Sequence, residues 1–283
     1  MVADLIAALP IWPGSLTVEP LPGGLTNRNF KVFSAGHSYV VRLAGDVAAH
    51  GIDRAAELAA TRAAAALGLG PNVIHAEPGV LVLAHVEGRT LTAEDLADPR
   101  LLALTLDLLR RVAAEIPSAV AGLLRDRSPR AVLAAYQSYL DSIGGPWVDR
   151  IRPYQKAIAS LPDLATGEGA FVHGDIHAGN LIDDGNRLWL VDWEYAGQGL
   201  IGQDLASLIS NGPTDHTGFT DAALTRWFGH APTNRERAYV ATLQRAAALR
   251  DLFWGYAQSA LDPMFDGADY LRINESRVAA LLE

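Results

Sequence analysis

The spacing of apolar residues changes once along this chain, near residue 88, and that change limits the folds it can adopt. Residues 15–85 contain short strand-like runs around a single alanine-rich helical segment at residues 52–67. In residues 92–160 the apolar side chains instead recur every three or four positions, which is typical of amphipathic helices. We therefore expect an α+β protein in which a small β-rich lobe precedes a large helical lobe.

The first lobe is expected to be a small sheet that carries one helix. The tripeptide Ala-Gly-His at residues 35–37 separates two strand-like runs and is a hairpin signature. We place the boundary between the lobes after residue 85, which gives units of residues 1–85 and 86–283. The expected strands lie at residues 17–20, 30–33, 38–43, 73–76 and 80–84.

In the second lobe, three strand-like segments interrupt the helical pattern. Helices are expected over residues 92–160 and again from Gln203 onwards. Thr233 and Glu236 have the spacing of a capping box, and they predict the start of a long helix that ends near Ser259. The interrupting segments lie around residues 170–173, 181–183 and 188–192.

The composition indicates a folded protein and disfavours several kinds of partner. Of the 283 residues, 49% are hydrophobic and 19% are charged, and the net charge of −9 disfavours binding to nucleic acid. The chain has no cysteine, so disulfides and thiolate metal sites are excluded. The start of the chain lacks a signal-peptide pattern, and no apolar run reaches the roughly 18 residues of a membrane span. We expect a cytoplasmic protein with no nucleic-acid or membrane partner.

One segment combines the residue types that phosphoryl transfer needs. It runs from His173 to Asn180 with the sequence HGDIHAGN, and Asp192 follows in the sequence VDWE. Asp175 is suited to accept the proton of an attacking hydroxyl group, so we assign it as the catalytic residue. Asn180 and Asp192 offer the oxygen ligands that Mg²⁺ prefers, so we assign both to a metal site.

Each of these residues, taken alone, is also compatible with an ordinary turn. Asp175 and Asn180 are common turn formers, and Asp192 can cap a turn. The joint pattern of strand, H-x-D-x-x-x-x-N, strand, hairpin, strand and D-W-E is much more specific, and it favours a kinase. Asp204 is expected to brace the loop that carries Asp175.

The same segment resembles the catalytic loop and metal-binding motif of the aminoglycoside phosphotransferase and choline kinase superfamily. Residues 21–30 resemble the phosphate-covering loop of choline and ethanolamine kinases, and residues 40–43 resemble the strand that supplies a cation to the phosphates. Residues 177–181 and 192–197 are similar to bacterial thiamine kinases. The resemblance covers nearly the whole chain. It implies a protein-kinase-like two-lobed fold, with ATP and Mg²⁺ as cofactors and a nucleotide-binding first lobe.

The nucleotide phosphates need a cation, and Arg42 is the candidate. The chain has only two lysines, Lys31 and Lys156, and neither lies on the expected strand. A guanidinium group can bridge two phosphate oxygens. Glu57 is expected to orient Arg42 through an ion pair; the alternative is that both are solvated surface charges. The resemblance further implies that backbone groups of Ala84 and Val86, where the lobes join, pair with the adenine. The expected nucleotide-binding residues are Gly23, Gly24, Thr26, Asn27, Asn29, Arg42, Glu57, Ala84 and Val86.

The expected acceptor is a small cationic alcohol such as choline, ethanolamine or thiamine. Asp251 and Trp254 share one helical face, and an organic cation gains from a carboxylate and an aromatic ring together. Residues 250–256 resemble the choline kinase segment that supplies choline-contacting tryptophans, although Ala257 stands where those enzymes have a second aromatic residue. The alternative is that these aromatic residues belong to the core. The expected substrate-binding residues are Glu194, Asp251, Trp254 and Tyr256.

Two other functions stay open. An aminoglycoside kinase would use several carboxylates on the C-terminal helices, which Asp262, Asp266 and Asp269 can supply. A nucleotide-binding pseudokinase would act as a binding module, although such proteins commonly lose one of the three residues assigned above to catalysis and metal binding.

Overall fold

Five antiparallel strands form the sheet of the first lobe. The computed structural model describes residues 2–22, 27–116, 120, 125–213 and 218–282. The strands are β1 (Leu16–Leu21), β2 (Arg28–Ser34), β3 (His37–Leu43), β4 (Val73–Glu77) and β5 (Val80–Ala84). Their order in the sheet is β1-β2-β3-β5-β4, and every neighbouring pair is antiparallel. The predicted sheet is therefore confirmed.

A tight hairpin joins β2 to β3 and sets their register. Its two central residues, Ala35 and Gly36, have φ angles of 47° and 81°. Positive φ at both positions matches the twist of the flanking strands, so this turn closes a two-residue hairpin. The resulting register places Asn29 directly opposite Arg42, and this pair faces the cavity described below.

Two helices belong to the first lobe, α1 (Val2–Ala7) and α2 (Arg54–Ala66). The sequence reasoning missed α1, whose Ile6 is fully buried against the sheet residues Val32 and Val82. The carboxylate of Asp53 accepts hydrogen bonds from the first free N–H groups of α2, so the helix begins later than the sequence predicts. 

The second lobe is mainly helical, as predicted. Three of its helices begin with proline, whose fixed φ and missing N–H suit the first turn. The predicted capping box of Thr233 and Glu236 is present. The helices are α3 (Pro99–Glu115), α4 (Pro129–Ile143), α5 (Pro146–Ile151), α6 (Gln155–Ala159), α7 (Gln203–Ser210), α8 (Phe219–Phe228), α9 (Asn234–Leu261) and α10 (Ala268–Leu282).

Two small antiparallel sheets in the second lobe hold the segment that carries the kinase-like motif. One contains β6 (Arg89–Thr90), β8 (Leu181–Asp183) and β9 (Leu188–Leu190); the other contains β7 (Gly169–Val172) and β10 (Gly197–Leu200). Residues 173–180 lie between β7 and β8, and residues 191–196 lie between β9 and β10. The predicted strand at 188–192 is shorter in the structure, because Asp192 has a φ of 70°, outside the range of a strand.

Helix α2 of the first lobe packs into the core of the second lobe. Its residues Ala60 and Ala64 are fully buried in the cluster that also contains Leu190 and Trp193 of the second lobe. The lobes therefore share a packed interface. We propose to divide the chain after residue 85, because the five-stranded sheet ends at Ala84. None of the helices in the described part of the chain is long and apolar enough to cross a membrane.

Candidate active site

A cavity of about 990 Å³ lies between the lobes and is lined by both of them. We call the part around Asp175, Asn180 and Asp192 its catalytic end, and the part around Asp251 and Arg277 its acceptor end. The predicted residues that line it are Asn29, Arg42, Ala84, Val86, Asp175, Asn180, Asp192, Glu194, Asp251 and Trp254. Asn27, Glu57 and Tyr256 are described but are not part of this lining. Gly23, Gly24 and Thr26 lie outside the described residues.

Asp204 holds the loop that carries Asp175. Its buried carboxylate accepts hydrogen bonds from the backbone N–H groups of His173, at 2.7 Å, and Gly174, at 3.0 Å. Gly174 has a φ of 81°, and a Cβ atom there would come within 2.4 Å of the carbonyl oxygen of Tyr195. Only glycine fits that position. The predicted bracing role of Asp204 matches these contacts.

His173 connects the loop of Asp175 to the segment that carries Asp192. Its Nε2 lies 3.0 Å from the carbonyl oxygen of Val191, and its Nδ1 accepts the backbone N–H of Asp175 at 3.3 Å. These partners assign a neutral imidazole with the proton on Nε2. Burial lowers the pKa of His173, which agrees with a neutral ring. The two segments are thereby held in a fixed relation.

The carboxylate of Asp175 lies between two basic side chains. His177 Nε2 is 3.7 Å from Asp175 Oδ2, and Arg250 Nη2 is 3.4 Å from Asp175 Oδ1. Burial acts to raise the pKa of Asp175, but its interactions with His177 and Arg250 outweigh it and lower the pKa to about 2. Asp175 is therefore ionised at neutral pH, the state needed to accept a hydrogen bond from a hydroxyl group.

Asn180 and Asp192 provide oxygen atoms that suit a magnesium ion. The side-chain N–H of Asn180 donates to the backbone oxygen of Asp175 at 2.9 Å, which leaves the amide oxygen as the atom for a ligand. Asp192 has an unusual backbone for a non-glycine residue, a feature found preferentially at functional sites. Among the described residues no group of three or more His, Asp or Glu side chains has metal-site geometry. Mg²⁺ bound to a nucleotide needs only one or two carboxylates, so this donor set fits it.

Arg42 lies at the centre of a buried ion-pair network. It contacts Glu57, and its Nη1 is 2.9 Å from Asp192 Oδ1. Burial disfavours its charge, but Asp192 and Glu57 outweigh this effect and raise its pKa. The Nε of Arg42 and the Oδ1 of Asn29 are buried without a hydrogen-bond partner among the described residues. The predicted ion pair is present, and polar atoms beside it are available to a ligand.

Arg54 extends this network across the two lobes, and the sequence reasoning missed it. Its Nη1 lies 2.6 Å from Glu57 and 3.0 Å from Glu194 of the second lobe. Its Nη2 donates to Asn27 Oδ1 at 2.8 Å, and Asn27 in turn donates to Glu194 at 3.0 Å. Asn27 and Glu57 therefore support the cavity wall from behind. Nothing in the sequence separates Arg54 from other helical arginines.

The connection between the lobes leaves some backbone groups for a nucleotide base and not others. Ala84 and Val86 both line the cavity. The N–H of Ala84 donates to the carbonyl oxygen of Asn72 at 2.9 Å. The N–H of Ala84 is therefore already used within the protein and would not pair with a base.

Residues 17–241 match the model of the phosphotransferase enzyme family, APH. The chain belongs to this family. The assignment agrees with the resemblance seen in the HGDIHAGN segment and with the two-lobed fold. The matched residues make up most of the chain. They include all five strands of the first lobe except the first residue of β1.

Several APH family relatives are named as kinases of small molecules. The chain is 27% identical over 212 residues to probable choline kinase 3 of Arabidopsis thaliana, which covers 68% of this chain and 59% of that protein. It is 34% identical over 80 residues to a thiamine kinase of Escherichia coli, 28% of each chain. A choline/ethanolamine kinase family protein from Mesorhizobium loti superposes with a TM-score of 0.75 at 28% identity, covering 100% of this chain and 95% of that one. The chain thus spans less than two thirds of the two curated relatives.

At the acceptor end, the predicted carboxylates of this APH family member are already engaged. Asp251 lies 2.7 Å from Arg250 Nη2 and 3.1 Å from Arg277 Nη1. Glu194 is held by Arg54, as described above. Neither carboxylate is left to balance the charge of a cation. This removes the charge part of the argument for a cationic acceptor.

The two predicted aromatic residues have different positions. Trp254 lines the cavity; its ring stacks on His50 at 5.1 Å, and its indole N–H donates to Tyr195 at 2.9 Å. Tyr256 is 2% exposed and packs in the core, where its hydroxyl donates to Glu275 at 2.8 Å. The assignment of Tyr256 to substrate binding is therefore corrected. On a helix, residues two apart point in different directions, so Trp254 and Tyr256 cannot both face the cavity.

The carboxylates suggested for an aminoglycoside kinase do not reach the cavity. Asp262, Asp266 and Asp269 are exposed and are absent from its lining. Asp269 instead pairs with Arg272 on the surface of α10. The basic residues at the acceptor end, Arg250 and Arg277, were missed because they come together only when α9 and α10 pack.

Proposed function

We propose that this protein transfers the γ-phosphoryl group of ATP to a hydroxyl group of a small molecule. The observation that carries the proposal is the meeting of Asp175, Asn180, Asp192 and Arg42 in one cavity. Membership of the APH family supports it. A binding module that lacks catalysis would not need an ionised Asp175 beside two candidate metal ligands.

The proposed reaction is a direct displacement at phosphorus. The acceptor oxygen forms a bond to the γ-phosphorus while the bond from that phosphorus to the β–γ bridging oxygen breaks, and ADP leaves with the electron pair. The hydroxyl proton goes to the carboxylate of Asp175. Its low pKa makes it a weak base, so its main contribution is to orient the hydroxyl group for attack.

Asn180 and Asp192 are proposed to hold Mg²⁺, whose positive charge offsets the negative charge of the phosphates. In this arrangement Arg42 binds phosphate oxygens and Glu57 keeps its guanidinium in place. Arg42 contacts Asp192 in the structure, so nucleotide binding would insert phosphates and metal between them. Gly23, Gly24 and Thr26 stay part of the proposed phosphate-covering loop. A cytoplasmic location, where ATP is available, belongs to the same proposal.

A cationic alcohol is the acceptor that the names of the relatives suggest. Choline and thiamine kinases are among the proteins that this chain is similar to. Trp254 lines the cavity and could contact a cation, but the carboxylates expected beside it are paired with arginines.

A coupled assay of ADP release tests the proposed function. The purified protein would be supplied with MgATP and a panel of choline, ethanolamine, thiamine, hydroxy acids and aminoglycosides. We expect ADP release that depends on at least one acceptor and disappears when Mg²⁺ is chelated. ADP release that is the same with and without every acceptor would contradict a phosphotransferase.

A further inference from the structure

We propose that the acceptor carries an oxyanion, a carboxylate or a phosphate, and that Arg277 binds it. This inference rests on the proposed function and names the class of molecule that the acceptor end of the cavity takes. Arg277 lies on α10 and lines the same cavity as Asp175. The chain is acidic overall, so the charges along its sequence do not by themselves suggest an acceptor with a negative charge.

Arg277 has one terminal nitrogen engaged and one unsatisfied. Its Nη1 lies 3.1 Å from Asp251 Oδ2. Its Nη2 is buried and has no hydrogen-bond partner among the described residues. A buried donor without an acceptor is unfavourable, so this position is best completed by an oxygen atom of a ligand. 

All three side-chain nitrogens of Arg250 are engaged within the protein. Its Nε and Nη2 donate to Asp251, its Nη1 donates to the backbone oxygen of Gly174, and its Nη2 also lies near Asp175. Arg250 thus contacts both aspartates, and together with Arg277 it balances their two negative charges. Arg277 pairs with Asp251 through Nη1 alone, so among the two arginines it is Arg277 that keeps a terminal nitrogen without a partner among the described residues.

The indole ring of Trp254, which a cation would need to contact, is also largely covered by other side chains. His50 stacks on Trp254 with an angle of 19° between the rings. The indole N–H of Trp254 is bonded to Tyr195. A cation would therefore meet one covered ring face and two arginines, whereas an oxyanion would meet a free guanidinium donor. Guanidinium groups bind carboxylate and phosphate oxygens in paired hydrogen bonds.

A chain of contacts connects the proposed oxyanion site to the residue that receives the reacting hydroxyl group. Asp175 contacts Arg250, Arg250 contacts Asp251, and Asp251 contacts Arg277. A small hydroxy acid or a phosphorylated polyol can therefore place its hydroxyl group at Asp175 and its anion at Arg277. An acceptor of this kind can also carry an ammonium group, as an amino acid does.

Matched acceptors test the inference. Serine differs from ethanolamine by one carboxylate, and glycerol 3-phosphate differs from glycerol by one phosphate. Homoserine and 3-aminopropanol form a longer pair, and choline is included as the cation without an anion. We expect kcat/KM to be about 10- to 100-fold higher for the anionic member of at least one pair, since charge-assisted hydrogen bonds have that strength. The pair that responds distinguishes a carboxylate from a phosphate.

Arg277→Met, Arg277→Lys and the control Arg272→Met complete the experiment. Arg272 lies on the same helix but is exposed and outside the cavity. Arg277→Met should remove most of the preference for the anionic member while the KM for ATP stays unchanged. Arg277→Lys should restore part of it, because a point charge replaces the fork. Arg272→Met should behave as the unchanged protein.

Two failures can be told apart. If MgATP binds and choline or ethanolamine is phosphorylated in preference to every anionic partner, the inference is overturned and the proposed function stands. The inference is also overturned if MgATP binds and no anionic compound is a substrate, or if Arg277→Met leaves the preference intact. Failure to bind MgATP would instead overturn the proposed function.

Discussion

The two ends of the cavity are built in different ways. At the catalytic end, the functional loop is fixed mainly by hydrogen bonds to backbone groups. Asp204 accepts from two backbone N–H groups, and His173 donates to the carbonyl oxygen of Val191. At the acceptor end, side chains hold side chains, since Arg250 and Arg277 reach Asp251 from two different helices. The backbone contacts at the catalytic end hold the reacting groups in fixed positions. The charges at the acceptor end can be changed by single side-chain substitutions.

This difference predicts separable effects on chemistry and on specificity. Substitution of Arg277 should change which molecule binds while the loop at residues 173–180 keeps its geometry, because that loop is held by Asp204, His173 and Arg250. A substitution at the catalytic end should reduce turnover for every acceptor. The predictions below follow this division, from the largest effect to the smallest.

Asp175→Asn should have the largest effect. The change keeps the shape of the side chain but removes the charged carboxylate that orients the hydroxyl group and receives its proton, so kcat should fall by roughly 10²- to 10⁴-fold for every acceptor. MgATP should still bind with similar affinity, measured by calorimetry. Asp149→Asn, at an exposed surface position, is the matched control and should keep full turnover. Near-normal turnover in Asp175→Asn would show that the assigned base is wrong.

Arg42→Ala tests the nucleotide side of the catalytic end. Removing this cation should raise the KM for ATP and lower kcat, together by about 10- to 100-fold in kcat/KM, the range for a hydrogen bond to a charged group. The acceptor KM should change little. Arg62→Ala on the exposed face of α2 serves as the control in the same steady-state kinetics. Unchanged ATP kinetics in Arg42→Ala would mean that another cation binds the phosphates.

The catalytic end was largely predictable because its reacting residues lie close together in the sequence. Asp175, Asn180 and Asp192 occupy one stretch of alternating loops and strands, and the expected pairing of Arg42 with Glu57 follows from one strand and the next helix. The bracing role of Asp204 followed from the same reasoning. The five-stranded sheet was predictable for a related reason, since each of its strands neighbours a strand close to it in the chain.

The acceptor end was not predictable, because its charges are balanced across long distances in the chain. Asp251 looked available to a cation, but Arg277, 26 residues further on, neutralises it once α9 and α10 pack. Tyr256 is of a residue type that often binds ligands, but in the structure it belongs to the core. Helix α1 was missed since its few apolar residues become informative only against the sheet that they cover.

Arg54→Met weakens the ion-pair network behind the catalytic end and tests how far nucleotide binding depends on that network. Arg54 touches no part of the proposed nucleotide directly, but it bonds to Glu57 and Glu194 and so joins the lobes. We expect a 2- to 10-fold rise in the KM for ATP, about the effect of one ordinary hydrogen bond. Arg54→Lys should restore part of the affinity if charge is what matters. A loss confined to stability, with the KM for ATP unchanged in the folded fraction, would contradict this positioning role.

The smallest expected effect concerns pH. Burial acts to lower the pKa of His177, but its interaction with the carboxylate of Asp175 outweighs this and raises the pKa above 6.5. Protonated His177 therefore stabilises the folded protein fully below 6.5, and this contribution is lost as pH rises through the raised pKa. His177→Gln should lower the free energy of unfolding in urea at about pH 5.5 more than at about pH 8.5. An equal loss at both values would contradict the pairing.

The central claim is that the catalytic end transfers a phosphoryl group to an acceptor held at the other end. Phosphorus NMR of a reaction with MgATP and an accepted substrate tests it most directly, because it separates transfer from hydrolysis. We predict a new phosphomonoester signal that grows as ADP appears, and its loss in Asp175→Asn. ADP accompanied only by inorganic phosphate, or ATP that stays unchanged with every acceptor, would contradict the claim.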